Sequence, residues 1–143
     1  MKLYRLGNYL HDKNILFLPK IINGLIRVFH NCAIYSETNI GQGTQFGYGG
    51  IGVVIHKRAV IGEDCVIGTN VTIGGRSRSE GVPVIGDNVY IATGSKILGD
   101  IHIGDNCVIG ANAVVIRSVP ANCMVVGIPA KVIKENINMR DYR

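Results

Sequence analysis

A strict six-residue period constrains this chain more than any other feature. Aliphatic side chains stand at Ile55, Ile61, Ile67 and Ile73, then at Ile85, Ile91, Ile97, Ile103, Ile109 and Val115, with Ser79 breaking the register. Ile34, Ile40 and Phe46 keep the same spacing, offset by three residues. An amphipathic helix repeats at about 3.6 residues and a plain strand at about two, so neither sustains a period of six. Six residues accommodate one short strand and one corner, with the aliphatic directed inward. Stacked copies then build a continuous apolar column, and because no rung buries its own face, stability comes from its neighbours. The expected fold class is all-β, a parallel β-helix of hexapeptide repeats with a short helical N-terminal segment.

The other positions of the hexad are patterned too. Glycine often follows the aliphatic, as at Gly62, Gly68, Gly74, Gly86, Gly104 and Gly110. Asparagine or aspartate recurs three positions after it, at Asp64, Asn70, Asn88, Asn106 and Asn112, and a small or β-branched residue four after it, among them Cys65 and Cys107. Gly, Asn and Asp tolerate left-handed backbone angles, which suits corners. Composition agrees, since 47% hydrophobic and 17% charged residues exclude a disordered chain. Cys32, Cys65, Cys107 and Cys123 contain no C-x-x-C pair, so we expect buried thiols in a reducing compartment and no metal site. The net charge of +5 suits a phosphorylated cofactor or an acidic membrane surface. Few aromatics and no basic cluster argue against nucleic acid.

Two places break the count. Nine residues separate Phe46 from Ile55, largely GYGGIGVVI, so three extra residues must bulge. Residues 75–83, GRSRSEGVP, replace a hexad and read as a protruding loop whose Arg76 and Arg78 suit an anion. We divide the chain into an N-terminal helical segment, 1–32, a β-helix, 33–133, and a polar, mobile tail, 134–143. Residues 14–27, NILFLPKIINGLIR, predict one or two short helices with Pro19 near a helix start. Their expected role is packing on the first coil. Peripheral membrane contact through this segment, helped by Lys20 and Arg27, is the second reading. No secretory signal opens the chain, so a cytoplasmic site is expected, at the inner face of the membrane on the second reading.

The runs IGEDCVIGTNVTIGG, VPVIGDNVYIATGSKILGDIHIGDNCVIGANAVV and VVGIPAKVI resemble the hexapeptide-repeat acyltransferases, in the branch of the serine acetyltransferases. The resemblance covers about residues 33–133. It implies a left-handed parallel β-helix with three hexads per triangular coil, and a homotrimer with active sites between subunits. It further implies an O-acetyltransferase that uses acetyl-CoA, with the pantetheine arm along the coil beside Gly74, Gly75, Thr93 and Ala111, and Lys131, in the closing G-x-P-A-K motif, near a phosphate. Thr93 and Ala111 are eighteen residues apart, one full coil, as an arm parallel to the axis requires.

Moving an acetyl group to a hydroxyl needs a base, donors for the oxyanion and a held thioester. His56 replaces the usual glycine after Ile55, just past the irregular GYGGIGVVI run, and is the candidate base. Tyr48 is a candidate hydrogen-bond donor, and Glu63 and Asp64 are candidates to orient His56. In the family comparison the catalytic histidine falls on Gly49, or with one gap on Tyr48. A second active-site histidine falls on Val82, and a supporting aspartate on Ala33. These departures point to a sugar hydroxyl of surface polysaccharide as acceptor, with L-serine, as in cysteine biosynthesis, as the alternative. A non-catalytic β-helix scaffold is the reading of another class. A zinc-dependent enzyme on this fold would need three histidines at ligand spacing, which the repeat does not carry.

Overall fold

The computed structural model describes residues 2–15 and 17–142. The repeat closes into a three-faced parallel β-helix. Face A stacks β3 (Val54–Ile55), β6 (Thr72–Gly74), β9 (Lys96–Leu98) and β12 (Val114–Val115). Face B stacks β1 (Asn39–Ile40), β4 (Val60–Ile61), β7 (Val84–Ile85) and β10 (His102–Ile103). Face C stacks β2 (Gln45–Phe46), β5 (Val66–Ile67), β8 (Tyr90–Ile91), β11 (Val108–Ile109), β13 (Cys123–Gly127) and β14 (Ala130–Glu135). The rungs pair in register, Ile55 with Ile73 with Ile97 on face A and Ile67 with Ile91 with Ile109 on face C. The ten aliphatics of the main register are at most 2% exposed, so the period marks the core.

The corner residues divide into two physical roles. Asp64, Asn70, Asn88, Asn106, Asn112 and Asn122 hold φ between +51° and +59°, the left-handed angle that turns each corner. The glycines that follow the aliphatics are not left-handed; close stacking requires them at Gly62, Gly68, Gly86, Gly104 and Gly110 instead. A Cβ on Gly62 would lie 2.5 Å from the Gly86 carbonyl oxygen, and one on Gly68 would lie 2.7 Å from the Thr93 nitrogen. Asparagine amides add a ladder along one corner, Asn88 Nδ2 donating to Asn106 Oδ1 (2.7 Å) and Asn106 Nδ2 to Asn122 Oδ1 (3.1 Å).

Both ends of the coil are covered. Helices α1 (Lys2–Asp12) and α2 (Phe17–His30) pack on the first coil through buried Tyr4, Ile22 and Ile26, with Pro19 in the first turn of α2. Tyr4 donates its hydroxyl to the Thr38 carbonyl, and Arg5 donates to the Ile40 and Gly41 carbonyls at 2.6 Å each. Burial pushes the Tyr4 phenol up to about 12. The opposite side of α2 leaves Phe17, Val28 and Phe29 exposed. No helix among the described residues is long and apolar enough to cross a membrane. At the other end, β13 and β14 form an antiparallel hairpin. The expectation of a mobile tail from 134 is corrected here. Strand β14 runs to Glu135, the Ile137 amide donates to the Asn122 carbonyl (3.1 Å), and Met139 is buried. All four cysteines are buried and none is in a disulfide, and burial raises the Cys32, Cys107 and Cys123 thiols.

Candidate active site

The corner leading from face C to face A carries one vertical column. Thr69 follows β5, Thr93 follows β8 and Ala111 follows β11, so the in-register pairing of face C stacks them. Backbone bonds hold the stack, Gly94 N to Thr69 O (2.9 Å) and Asn112 N to Thr93 O (3.0 Å). The Thr93 hydroxyl donates to the Thr69 carbonyl (2.9 Å) and lies 2.6 Å from the Thr69 hydroxyl. Lys131 extends the column at its far end, because it pairs with Val126, which packs against Gly110. Tyr48 heads the column at the near end and is 88% exposed. Rungs are spaced by about 4.8 Å, so the strip runs for roughly 20 Å parallel to the axis. Thr93, Ala111 and Lys131 are exposed along it. A slender chain with an anionic end fits such a strip, lying against small side chains with Lys131 at its end.

The extra residues between Phe46 and Ile55 form a tight turn over Gly47–Gly50, in which Tyr48, Gly49 and Gly50 take φ of +48°, +72° and +88°. A tyrosine in this region is strained, and the two glycines are not. The turn is tied to the N-terminal segment, since the Gly52 amide donates to the Asn31 carbonyl (2.9 Å) and the Ala33 amide to the Val53 carbonyl (2.8 Å).

The remaining expected residues lie on the other edge of face A, at the corner leading to face B. His56 follows β3, and its amide donates to the Ile73 carbonyl (2.8 Å), which seats it over Gly74. Gly74 and Gly75 have open space where a side chain would go. The loop over 75–83 protrudes as expected but is pinned. Arg58 donates to the Glu80 carbonyl (2.8 Å), Gly99 N to Gly74 O (2.9 Å) and Asp100 N to Ser79 Oγ (3.1 Å). Arg76 and Arg78 are exposed on it. His56 Nδ1 accepts a hydrogen bond from the Arg58 amide (3.1 Å). A neutral ring held this way carries its proton on Nε2, so it presents a donor outward. Glu63 and Asp64 stand at the corner between faces B and C, beyond face B from His56, and Glu63 N is bound by Asp87 Oδ1 (2.8 Å).

The expected residues therefore fall into two groups. Tyr48, Thr93, Ala111 and Lys131 share one edge; His56, Gly74, Gly75 and Arg76 share the other. Five residues of extended chain separate Thr69 from Gly74, on the order of 15 Å. Two neighbours of the column were not found from the sequence, Thr69 and His30. Thr69 keeps the column's spacing once the six extra residues of the loop over 75–83 are discounted. His30 lies outside the repeat, so no periodicity could have placed it. Among the described residues no group of His, Cys, Asp or Glu is arranged to hold a metal ion.

Comparison with known proteins identifies the repeat that carries these residues. Residues 83–117 match the bacterial transferase hexapeptide (six repeats), and residues 58–98 match the hexapeptide repeat of succinyl-transferase. The chain is similar to the serine acetyltransferase of Synechococcus elongatus, 38% identical over 132 residues that cover 91% of this chain and 54% of that protein. It is 36% identical to the serine acetyltransferase of Helicobacter pylori over 135 residues, 93% of this chain and 78% of that one. Among solved structures, a serine acetyltransferase in complex with CoA superposes with a TM-score of 0.82 at 34% identity, over 92% of this chain and 54% of that one. The Brucella abortus serine acetyltransferase in complex with coenzyme A gives 0.88 at 30% identity, over 95% and 55%. The chain thus spans about half the length of several proteins it resembles.

Proposed function

The chain belongs to the serine acetyltransferase family of hexapeptide-repeat transferases, and from that premise we propose that it transfers the acetyl group of acetyl-CoA to the hydroxyl of L-serine. The observation that carries the reading is the column of Thr69, Thr93 and Ala111 ending at Lys131. Its open edge and small side chains suit a pantetheine arm bonded to successive backbone groups, and the exposed ammonium of Lys131 suits a phosphate. The acceptor oxygen attacks the thioester carbonyl carbon, so donors must face the oxygen that gains charge. His56, with Nε2–H directed outward, is suited to donate there rather than to act as base, and Tyr48 is a second donor at the head of the column.

Both edges of face A carry functional residues, so one copy does not complete the site. A homotrimer would bring His56, Gly74, Gly75 and Arg76 of one subunit against the column of the next. Sedimentation analysis tests this; a monomer at micromolar concentration that nonetheless turns over acetyl-CoA would sink it.

One observation favours a second acceptor class. Ala33, Gly49 and Val82 hold no polar side chain where the resemblance calls for an aspartate and two histidines. A sugar hydroxyl, as in surface polysaccharide, needs no partner for an amino-acid backbone and fits that loss. Thiol release from acetyl-CoA, followed with L-serine and with a panel of hexoses and amino sugars, separates the two. A chain that binds coenzyme A yet releases no thiol with any acceptor would instead be a scaffold.

A further inference from the structure

We propose that His30 is the general base of the transfer, acting from the C-terminus of α2 at the head of the column. This rests on the acetyl-transfer reading above. Among the described residues the Tyr48–Gly50 turn is the only place where three successive residues take left-handed angles, and His30 lies directly against it. A Cβ built on Gly49 would stand 3.3 Å from His30 Nδ1 and 4.0 Å from its Cε1. The imidazole therefore borders the space in which a side chain at position 49 would lie, and a Cβ there would press on it. Glycine there does two things: it accepts φ of +72°, and it leaves room for the ring.

The placement of His30 is built rather than incidental. Asn31 turns the chain sharply with φ of +47°, and its carbonyl receives the Gly52 amide (2.9 Å). The residue after His30 is thus bonded to the far side of the turn that His30 faces. Ile22 and Ile26 stand eight and four residues before His30, on the same face of α2, and are buried against the coil, which fixes the helix that delivers the ring. The ring is half-buried, and among the described residues no hydrogen bond engages it. That leaves its nitrogens available, unlike His56, whose Nδ1 is taken by the Arg58 amide. The other two histidines are elsewhere. His102 is exposed on β10 of face B, and His11 lies at the end of α1.

The step balances without a further reactant. The unprotonated imidazole nitrogen takes the hydroxyl proton of the acceptor as its oxygen bonds to the acetyl carbon. The carbon–sulfur bond then breaks, and the imidazolium returns the proton to the departing thiolate as the free thiol.

The test compares the full chain with His30→Ala, His30→Gln, His56→Gln and, as a control, His102→Ala. Thiol release is followed with the acceptor that gives the highest wild-type rate, and coenzyme A binding is measured by calorimetry on each protein. His30 as base predicts a fall in kcat/KM of about 10²–10⁴-fold in both His30 variants with coenzyme A affinity kept. Free imidazole should restore the rate of His30→Ala by roughly tenfold or more, an effect that a purely structural part for His30 does not produce. His102→Ala should match the wild type. Retention of more than about a tenth of the wild-type rate by either His30 variant overturns the inference. So does intact coenzyme A binding without imidazole rescue, and so does loss of coenzyme A binding in both variants, which would make His30 a structural support of the turn. A wild type that releases no thiol with any acceptor fails differently, because it removes the transfer reading itself.

Discussion

Replacing Tyr4 with phenylalanine deletes one hydroxyl at the junction between α1 and the first coil, and the structure sets the size of the effect. Tyr4 is 1% exposed and donates to the Thr38 carbonyl across 34 residues of sequence. Without it, a buried carbonyl loses its donor, beside a Thr38 hydroxyl that already has no partner among the described residues. The expected cost at pH 7 is about 1–3 kcal/mol. The pH dependence is more diagnostic. Burial raises the phenol to about 12 in the folded chain, from an ordinary value of 10.0. A raised folded value means that the unfolded chain ionises first, so the contribution is complete below pH 10 and is lost as pH climbs toward 12. With these values, stability should fall by about 1.3 kcal/mol between pH 9 and pH 11 from this group alone. Urea denaturation at pH 7, 9, 10 and 11 on wild type and Tyr4→Phe reads the difference directly. Tyr4→Phe should be less stable at pH 7 and flatter above pH 9. If both proteins lose stability in parallel above pH 9, Tyr4 is not held neutral by burial and the reasoning fails. The result bears on function, because the same helical cap carries His30 to the head of the column.

Other substitutions probe the coil and the strip. Asn106→Ala removes two ladder bonds and places alanine at φ of +55°, so a loss of about 1–3 kcal/mol in chemical denaturation is expected. Asn106→Gly, which relieves the angle but not the bonds, should fall between alanine and wild type; equal losses would show that backbone conformation plays no part. Lys131→Ala should weaken coenzyme A binding about fivefold with kcat nearly unchanged, and the deficit should shrink at high salt, since the side chain is exposed. A salt-independent deficit would point to packing rather than charge. Gly68→Ala forces a Cβ to 2.7 Å from the Thr93 nitrogen, so it should both lower the melting temperature and reduce coenzyme A affinity. A stable variant with normal affinity would refute the close stacking of the column.

Much of the fold can be read along the chain because each rung repeats one local problem. An aliphatic must point inward, a left-handed residue must turn the corner, and the neighbouring rung must approach closely. Those needs recur every six residues, so Ile61, Asn88 and Gly104 announce their places individually. The loop over 75–83 and the bulge after Phe46 are equally visible, as failures of the count. The anchored tail is not legible because Met139 and Ile137 belong to no repeat, and the bond from the Ile137 amide to the Asn122 carbonyl depends on where the β13–β14 hairpin returns the chain.

The site is less legible for a different reason. Spacing showed that Thr93 and Ala111 share a column, because eighteen residues is one coil. It did not show that His56 stands across face A from them, since corners that look equivalent in sequence lie on different edges of a triangular coil. Nor did it show that His30 reaches Gly49, because no repeat relates a helix end to a turn nineteen residues later. The sequence by itself determined the coil, its core and the stacking of Thr93 on Ala111, all set by contacts between residues at fixed intervals. Only the tertiary structure decided which edge each polar group occupies and which histidine meets the strip. Those relations depend on how α2 docks and how the coil closes, and burial, which writes the period into the sequence, leaves such half-exposed polar positions unconstrained.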